Sequence, residues 1–377
     1  MKRELQQKRK ALQQAERDSL RTGDSRNMRI LEEEINKLLD KEAKMWAQRA
    51  KILWLKDGDR NTRFFHTRAS QRQRRNYITK LYDSTGRWCT RQSEVNEIIV
   101  NFYKDLFTTA SPDGMEEVLE TIPHVVTDDM NDMLLSDFTI EEVEKTVQQM
   151  APLKSPGPDG MPPLFYQSYW SLIGSDVAQT ILHYLNTGTL PKSLGHSFIT
   201  LIPKVKSPDH VTQFQAISLS NVLYQIFAKV LANRLRNIMP HIISDHQSAF
   251  IPDRLILDNI LVAFETLHHM RNHAKGKTSF MALKLDMSKA YDRVKWAYME
   301  KVLVKMGFNE RWVQLMMLCI TTASYSILIN GEPQGEISPT RGLRQGDPLS
   351  PYLFLMCIEG LHGLIRKAAT NGDIQGV

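Results

Sequence analysis

The sequence predicts an α+β fold preceded by a basic, α-helical N-terminal extension. Most segments carry apolar residues at helical spacing, and a few short apolar runs come in pairs joined by turn residues. The first 56 residues are rich in Lys, Arg, Glu, Gln and Leu. Helices mixed with antiparallel hairpins are typical of α+β proteins. We expect three segments, covering residues 1–56, 57–125 and 126–377.

Composition and charge allow a polyanionic partner without requiring one. The 377 residues are 42% hydrophobic and 24% charged, and they carry a net charge of +6. The three cysteines lie far apart and lack metal-binding spacing, which favours a reducing compartment. We recognise no signal peptide and no membrane-spanning run, so we expect a cytoplasmic or nuclear protein without a membrane partner.

The N-terminal region is expected to hold two helices and then a basic segment. A solvated linker and a partner-binding helix pair are both consistent with residues 1–56. The following segment interleaves basic and aromatic side chains, which suits a phosphate backbone with bases stacked nearby. A solvated charged helix explains this composition equally well. The candidate nucleic-acid-binding residues are Arg60, Arg63, Arg68, Arg72, Arg74 and Arg75.

The middle of the chain contains several predicted turns. A hairpin over 77–89 precedes a helix over 93–107, and a loop-rich stretch near residue 125 marks our predicted domain boundary. Thr139 and Glu142 form the pattern of a helix capping box. Residues 154–160 are a rigid Pro/Gly turn that could cradle a phosphate, although they do not form a P-loop. A long helix is expected over 164–187.

Asp286 stands at the end of a predicted buried strand. The preceding apolar run, 280–283, has the length and composition of such a strand. A carboxylate held there is a natural ligand for Mg²⁺, although it could simply cap the next helix. Upstream, Lys204 ends the first of two short strands, 198–204 and 216–219, from which it could reach a triphosphate. An ordinary hairpin is equally consistent with that pattern.

The last third combines a hairpin with a glycine-containing loop. A helix over 309–322 precedes strands at 325–330 and 334–340, which turn at Asn330 and Gly331. The loop at 341–351 places glycines beside basic and amide side chains. Glycine lets a ligand approach the backbone closely, and arginine and glutamine supply hydrogen-bond donors. A helix over 352–369 follows.

In their order, these motifs resemble the reverse transcriptases of LINE-type (non-LTR) retrotransposons, of the kind abundant in plant genomes. The motifs occupy residues 154–160, 198–204, 217–219, 247–254, 285–292 and 344–351. The resemblance implies a right-hand polymerase fold with fingers and a partial palm. It also implies a palm sheet built from the segments 279–286, 325–330 and 334–340.

The resemblance implies site residues as well. Asp286 matches the first catalytic aspartate, which binds Mg²⁺ together with the backbone carbonyl here contributed by Met287; two Mg²⁺ ions serve the reaction. The implied nucleotide-binding residues are Lys204, Tyr291, Gln345 and Gly346. Tyr291 would lie under the incoming sugar, and Lys204 would contact the triphosphate. The implied partners are an RNA template, a DNA primer and a deoxynucleoside triphosphate.

Four further residues belong to these motifs. Arg254 and Arg344 are expected to contact nucleic acid. Asp292 is expected to orient the start of a helix, and Lys289 has no assigned role. The oligomeric state is left open.

The sequence also departs from the usual pattern of these enzymes. Gln215 and Ala216 stand where Arg-Pro is usual, and Asp253 stands where glycine is usual. Glutamine cannot supply the charge of an arginine clamp, so nucleotide binding should be weakened. The second catalytic Asp-Asp pair and the thumb are not found. We therefore expect a truncated domain that is inactive alone; the alternatives are a non-catalytic nucleic-acid-binding remnant and a pseudogene product.

Overall fold

The chain divides into two compact units, residues 1–78 and 79–377. The computed structural model describes residues 2–22, 25–50, 62–110, 114–272 and 280–375. This division does not coincide with the boundary predicted near residue 125. A helix over 92–106 instead belongs to the second unit, where it buries Val95, Ile99 and Tyr103.

The first unit consists of three helices, α1 (Lys2–Thr22), α2 (Arg26–Ala50) and α3 (Thr62–Asn76). Leu5 of α1 and Ile35 of α2 are buried. The Lys8 amine donates to a Glu34 carboxylate oxygen at 2.6 Å and links the two helices. The two helices expected within residues 1–56 are present as α1 and α2.

The second unit combines helices with two sheets, which confirms the predicted mixture of helix and strand. Its helices are α4 (Gln92–Leu106), α5 (Met115–Glu120), α6 (Asp128–Leu135), α7 (Ile140–Gln148), α8 (Pro163–Ser168), α9 (Trp170–Thr187), α10 (Lys192–Gly195), α11 (Val222–Ile242), α12 (Ile256–Asn272), α13 (Trp296–Met306), α14 (Glu310–Thr321) and α15 (Ser350–Asn371). Its strands are β1 (Leu81–Tyr82), β2 (Trp88–Cys89), β3 (His196–Pro203), β4 (Phe214–Ser220), β5 (Ser324–Ile329) and β6 (Glu332–Ile337).

The main sheet has the order β4-β3-β5-β6. The pair β3 and β5 is parallel, whereas the pairs β3–β4 and β5–β6 are antiparallel. Asn330 and Gly331 turn the last hairpin with φ angles of 55° and 96°. Positive φ at both positions is the geometry that Asn-Gly favours in a two-residue hairpin turn.

The predicted palm sheet is wrong in one respect, because residues 280–286 do not form a strand. Ser279 lies outside the described residues. Met281, Leu283 and Leu285 are 84%, 72% and 62% exposed. An apolar run becomes a strand only where a neighbouring edge completes its hydrogen bonds. Both edges of β5 are already paired, one with β3 and the other with β6.

The hydrophobic core surrounds α11, which is buried along most of its length. Fully burying each large aliphatic side chain contributes about 1.5–3 kcal/mol. The predicted capping box is confirmed, because Thr139 and Glu142 satisfy each other's backbone N–H groups. Arg234 of α11 donates to Glu142 at 2.7 and 2.8 Å, which fixes α7 against the core. Among the described residues, no helix is long and apolar enough to cross a membrane.

Candidate functional site

A cleft of about 640 Å³ gathers residues from five separate parts of the second unit. They come from the end of β3, from β4, from Phe250, from the turn 286–291 and from residues 345–351 at the start of α15. All the residues expected to contact metal or nucleotide line it, namely Lys204, Asp286, Met287, Tyr291, Gln345 and Gly346. Gln215 and Lys289 line it as well. We call this space the central cleft.

Asp286 offers an exposed carboxylate to the central cleft. It does not cap a helix, because Ala290 precedes the short 3-10 helix Tyr291–Arg293 and Lys295 precedes α13. The helix-cap alternative is therefore wrong. Asp286 and the carbonyl of Met287 are oxygen donors of the kind that Mg²⁺ prefers. Within the described ranges, no group of three or more His, Cys, Asp or Glu side chains could hold a metal ion.

Tyr291 has a fixed ring at the floor of the cleft. It stacks on Phe354 of α15 with ring centroids 4.7 Å apart and planes 16° apart. Its backbone carbonyl accepts a hydrogen bond from the Leu343 N–H at 2.8 Å. Burial raises the pKa of the Tyr291 hydroxyl, which therefore stays neutral. The ring can serve as a flat apolar support.

Hydrogen bonds connect three polar side chains near Tyr291. The amide of Gln215 donates to the Gln345 side-chain oxygen, and Gln345 donates in turn to Asp292 at 2.9 Å. The backbone of Gln345 is held as well, because its carbonyl oxygen accepts a hydrogen bond from the Ser218 N–H at 2.9 Å. Asp292 is only 2% exposed, and burial raises its pKa. Sequence reasoning placed Asp292 at a helix start but missed that it holds Gln345.

The Pro/Gly turn at 154–160 is held by hydrogen bonds within the turn and to neighbouring segments, two of which use its backbone N–H groups. The Asp159 N–H donates to the Asn221 side-chain oxygen at 3.1 Å, and the Gly160 N–H donates to Gly157 at 3.1 Å. The Lys154 amine donates to the carbonyl of Gly346 at 3.1 Å. These bonds join the turn to the start of α11 and to the loop before α15.

Arg344 is placed differently from the sequence expectation. It is only 2% exposed, and its guanidinium lies 4.2 Å from the ring centroid of Tyr224. It donates to the carbonyl oxygens of Gly195, at 2.7 Å, and Cys319. A buried cation that donates to carbonyls inside the protein cannot reach a nucleic-acid backbone. The expected nucleic-acid contact of Arg344 is therefore wrong.

Arg254 is also bonded within the protein, where it stabilises the end of α11. Its guanidinium donates to four backbone carbonyls that follow or end α11, at 2.6–3.2 Å: those of Pro240, Ile243, Ser244 and Gln247. Cations commonly satisfy the free carbonyls at a helix C-terminus. The expected role of Arg254 in nucleic-acid binding does not fit this position.

The three departures from the family pattern have distinct surroundings. Gln215 lines the central cleft, as the resemblance implies. Ala216 is buried in β4, an edge strand of the main sheet, where proline would also be tolerated. Asp253 has a φ of 63°, which explains why glycine is usual there.

The basic segment forms part of the first unit. Arg68, Arg72, Arg74 and Arg75 lie on α3 and are exposed. Arg60 lies outside the described residues, as does the side chain of Arg63. The four described arginines thus present positive charge to solvent.

Comparison with protein families matches part of the second unit. Residues 202–375 match the family model described as reverse transcriptase (RNA-dependent DNA polymerase). The chain carries a reverse transcriptase domain, and this domain is similar to those of non-LTR retrotransposon Pol proteins.

Particular relatives make the similarity more specific. The chain is 30% identical over 325 residues, 86% of its length, to the Transposon TX1 uncharacterized 149 kDa protein of Xenopus laevis. It is 27% identical over 265 residues, 70% of its length, to the Pol polyprotein of the type-2 retrotransposable element R2DM of Drosophila melanogaster. The chain spans 24% of each of these proteins. An uncharacterized mitochondrial protein of Arabidopsis thaliana is 60% identical over 50 residues, which are 13% of this chain and 41% of that protein.

Proposed function

We propose that this chain supplies the nucleotide-binding cleft of an RNA-directed DNA polymerase from a non-LTR retrotransposon of plant origin. The single observation that carries the proposal is the central cleft, which brings together six predicted residues from positions 204 to 346. Asp286, Tyr291 and Lys204 would face the reacting end, the sugar and the phosphates of a deoxynucleotide. The short match to the Arabidopsis protein supports the plant source.

The expected partners are an RNA template, a DNA primer and a deoxynucleoside triphosphate, in the cytoplasm or the nucleus. Such polymerases use divalent metal ions, with two Mg²⁺ expected. The described residues give that centre one cleft carboxylate, Asp286, and the carbonyl of Met287. The other carboxylate lining the cleft, Asp347, already accepts hydrogen bonds from Tyr224 and from the Leu349 N–H. A two-metal centre therefore does not fit these residues alone.

A primer-extension assay tests the consequence of that misfit. We expect the 377-residue chain to add no deoxynucleotide to a primed RNA template in MgCl₂. Extension that disappears in Asp286→Ala would contradict this expectation.

Nucleotide binding tests the proposal itself, because it requires the cleft but not turnover. We expect the wild-type chain to bind dTTP weakly. Lys204→Gly should lower the affinity for dTTP further. Gln215→Arg should tighten dTTP binding by roughly tenfold, since an arginine adds charge and a forked donor. Absence of any dTTP binding, with the protein folded by circular dichroism, would refute the proposed function.

A nucleic-acid-binding role without catalysis is a second candidate. The exposed arginines of α3 favour it. Binding through α3 would survive Asp286→Ala, because that substitution lies in the other unit.

A further inference from the structure

Lys289 lies in the central cleft, although no motif assigns it a role. It lines the cleft together with Lys204 and the neutral Gln215. Gln215 carries no charge, and its side-chain amide already donates a hydrogen bond to Gln345. Lys204 and Lys289 are therefore the cations available on the described walls of this cleft.

The backbone at Lys289 is strained. Its φ is 56°, in the left-handed region, which side chains with a Cβ rarely adopt. Strained positions of this kind concentrate at functional sites, and glycine would relieve the strain here. Backbone stability therefore does not explain a lysine at this turn, and its side chain must have another role.

The ammonium group of Lys289 is partly desolvated and incompletely paired. Among the described residues, its one hydrogen bond reaches the carbonyl of Phe214 at 3.3 Å. The ring centroids of Phe102 and Tyr103 lie 5.9 and 5.7 Å from the ammonium nitrogen. An ammonium group carries three donors, so acceptors from a ligand can still be bound.

We propose that Lys289 binds the phosphate groups of a nucleoside triphosphate in the central cleft and supplies the positive charge that Gln215 lacks. The inference rests on the proposed function and deepens it. Lys289 would approach the phosphates from the turn 288–290, while Lys204 would approach them from the end of β3. The two lysines would then hold the same anion from different elements.

The test compares ligands that differ only in phosphate number. Binding of thymidine, dTMP, dTDP and dTTP to the full chain is measured by NMR titration at one MgCl₂ concentration. Lys289→Gly is the informative variant, because glycine accepts the φ of 56° and should preserve the fold. Lys206→Gly removes the same charge from an exposed position outside the cleft and serves as the control.

We expect Lys289→Gly to weaken dTTP binding by about tenfold or more, to weaken dTMP binding less, and to leave thymidine unchanged. Lys289→Arg should restore most of the affinity, and Lys206→Gly should behave as the wild type. An equal loss for all four ligands would mean a structural role and would overturn the inference alone. Unchanged dTTP binding in Lys289→Gly would also overturn the inference and leave the proposed function standing. Failure of the wild type to bind dTTP would overturn both the inference and the proposed function.

Discussion

Asp292 is a carboxyl group that folding places in an unfavourable environment. One oxygen accepts from Gln345, and the other is buried without a hydrogen-bond partner among the described residues. Burial raises the pKa of Asp292 above its ordinary value of 3.8, so the folded state binds its proton more tightly than the unfolded state does. Ionisation of Asp292 therefore lowers the stability of the folded protein as pH rises from the unfolded-state pKa through the higher folded-state pKa.

Asp292→Asn should be more stable than the wild type at neutral pH. Asparagine keeps the acceptor for Gln345 and removes the buried charge. The gain should appear above about pH 4 and vanish below it, where both unfolded and folded carboxyls are protonated. Urea unfolding of both proteins between pH 4 and 8 measures it. A wild type that gains stability relative to the variant as pH rises would contradict the prediction.

Asp253 lies in the left-handed region of backbone conformation. Because its φ of 63° favours glycine, Asp253→Gly should stabilise the protein by about 0.5 kcal/mol. Asp253→Ala is the matched control, since alanine keeps the Cβ and loses the polar group that helps aspartate tolerate this region. Chemical denaturation should give the order Gly, Asp, Ala from most to least stable. Any order in which alanine exceeds glycine would exclude backbone strain as the cause.

At the scale of elements, the turn 154–160 holds the start of α11 in place. A Cβ on Gly157 would lie 2.4–2.5 Å from backbone atoms of Ser220 and Asn221. Backbone cannot yield as a flexible side chain can, so Gly157→Ala should destabilise the protein by about 2–3 kcal/mol. Gly160→Ala is the control, because open space surrounds its Cβ and only its φ of 71° is unfavourable, at about 1 kcal/mol.

Thermal unfolding of the two glycine variants compares these costs directly. A larger loss in Gly160→Ala than in Gly157→Ala would mean that the turn does not press on β4 and α11. The same variants report on the cleft, because Lys154 in this turn donates to Gly346. Weakened dTTP binding in Gly157→Ala alone would connect the turn to the site.

At the scale of the whole molecule, positive charge on α3 predicts salt-dependent RNA binding. Each phosphate contact on a single strand contributes about −0.7 to the slope of log K against log salt. Replacing Arg72, Arg74 and Arg75 with glutamine should therefore make the slope shallower by about 2. Filter binding of single-stranded RNA across a salt series measures this change.

A matched control removes the same charge from α1. Arg3, Arg9 and Arg17 are likewise exposed, and their replacement by glutamine lowers the net charge equally. If both triple variants lose affinity to the same extent, binding reflects net charge alone. If neither loses any, α3 does not contact RNA. Binding that survives Asp286→Ala would separate it from the central cleft.

Features that depend on local chemistry could be predicted from the amino-acid sequence. The capping box at Thr139, the Asn330-Gly331 turn and the succession of helices and hairpins all follow from short-range preferences of backbone and side chains. Ordered motifs also identified which residues meet in the cleft. Their resemblance to known reverse transcriptases carried that information, which periodicity alone does not contain.

The roles of individual charged and apolar groups became clear only from their neighbours in the folded protein. Arg254 and Arg344 look like ligand-binding residues in the sequence, yet Arg254 is bonded to carbonyls near the end of α11 and Arg344 to the carbonyl of the distant Gly195. The apolar run 280–286 looks like a strand, yet no neighbouring edge pairs with it among the described residues. Burial and strand pairing depend on what surrounds a residue in space, and short-range pattern cannot specify those neighbours.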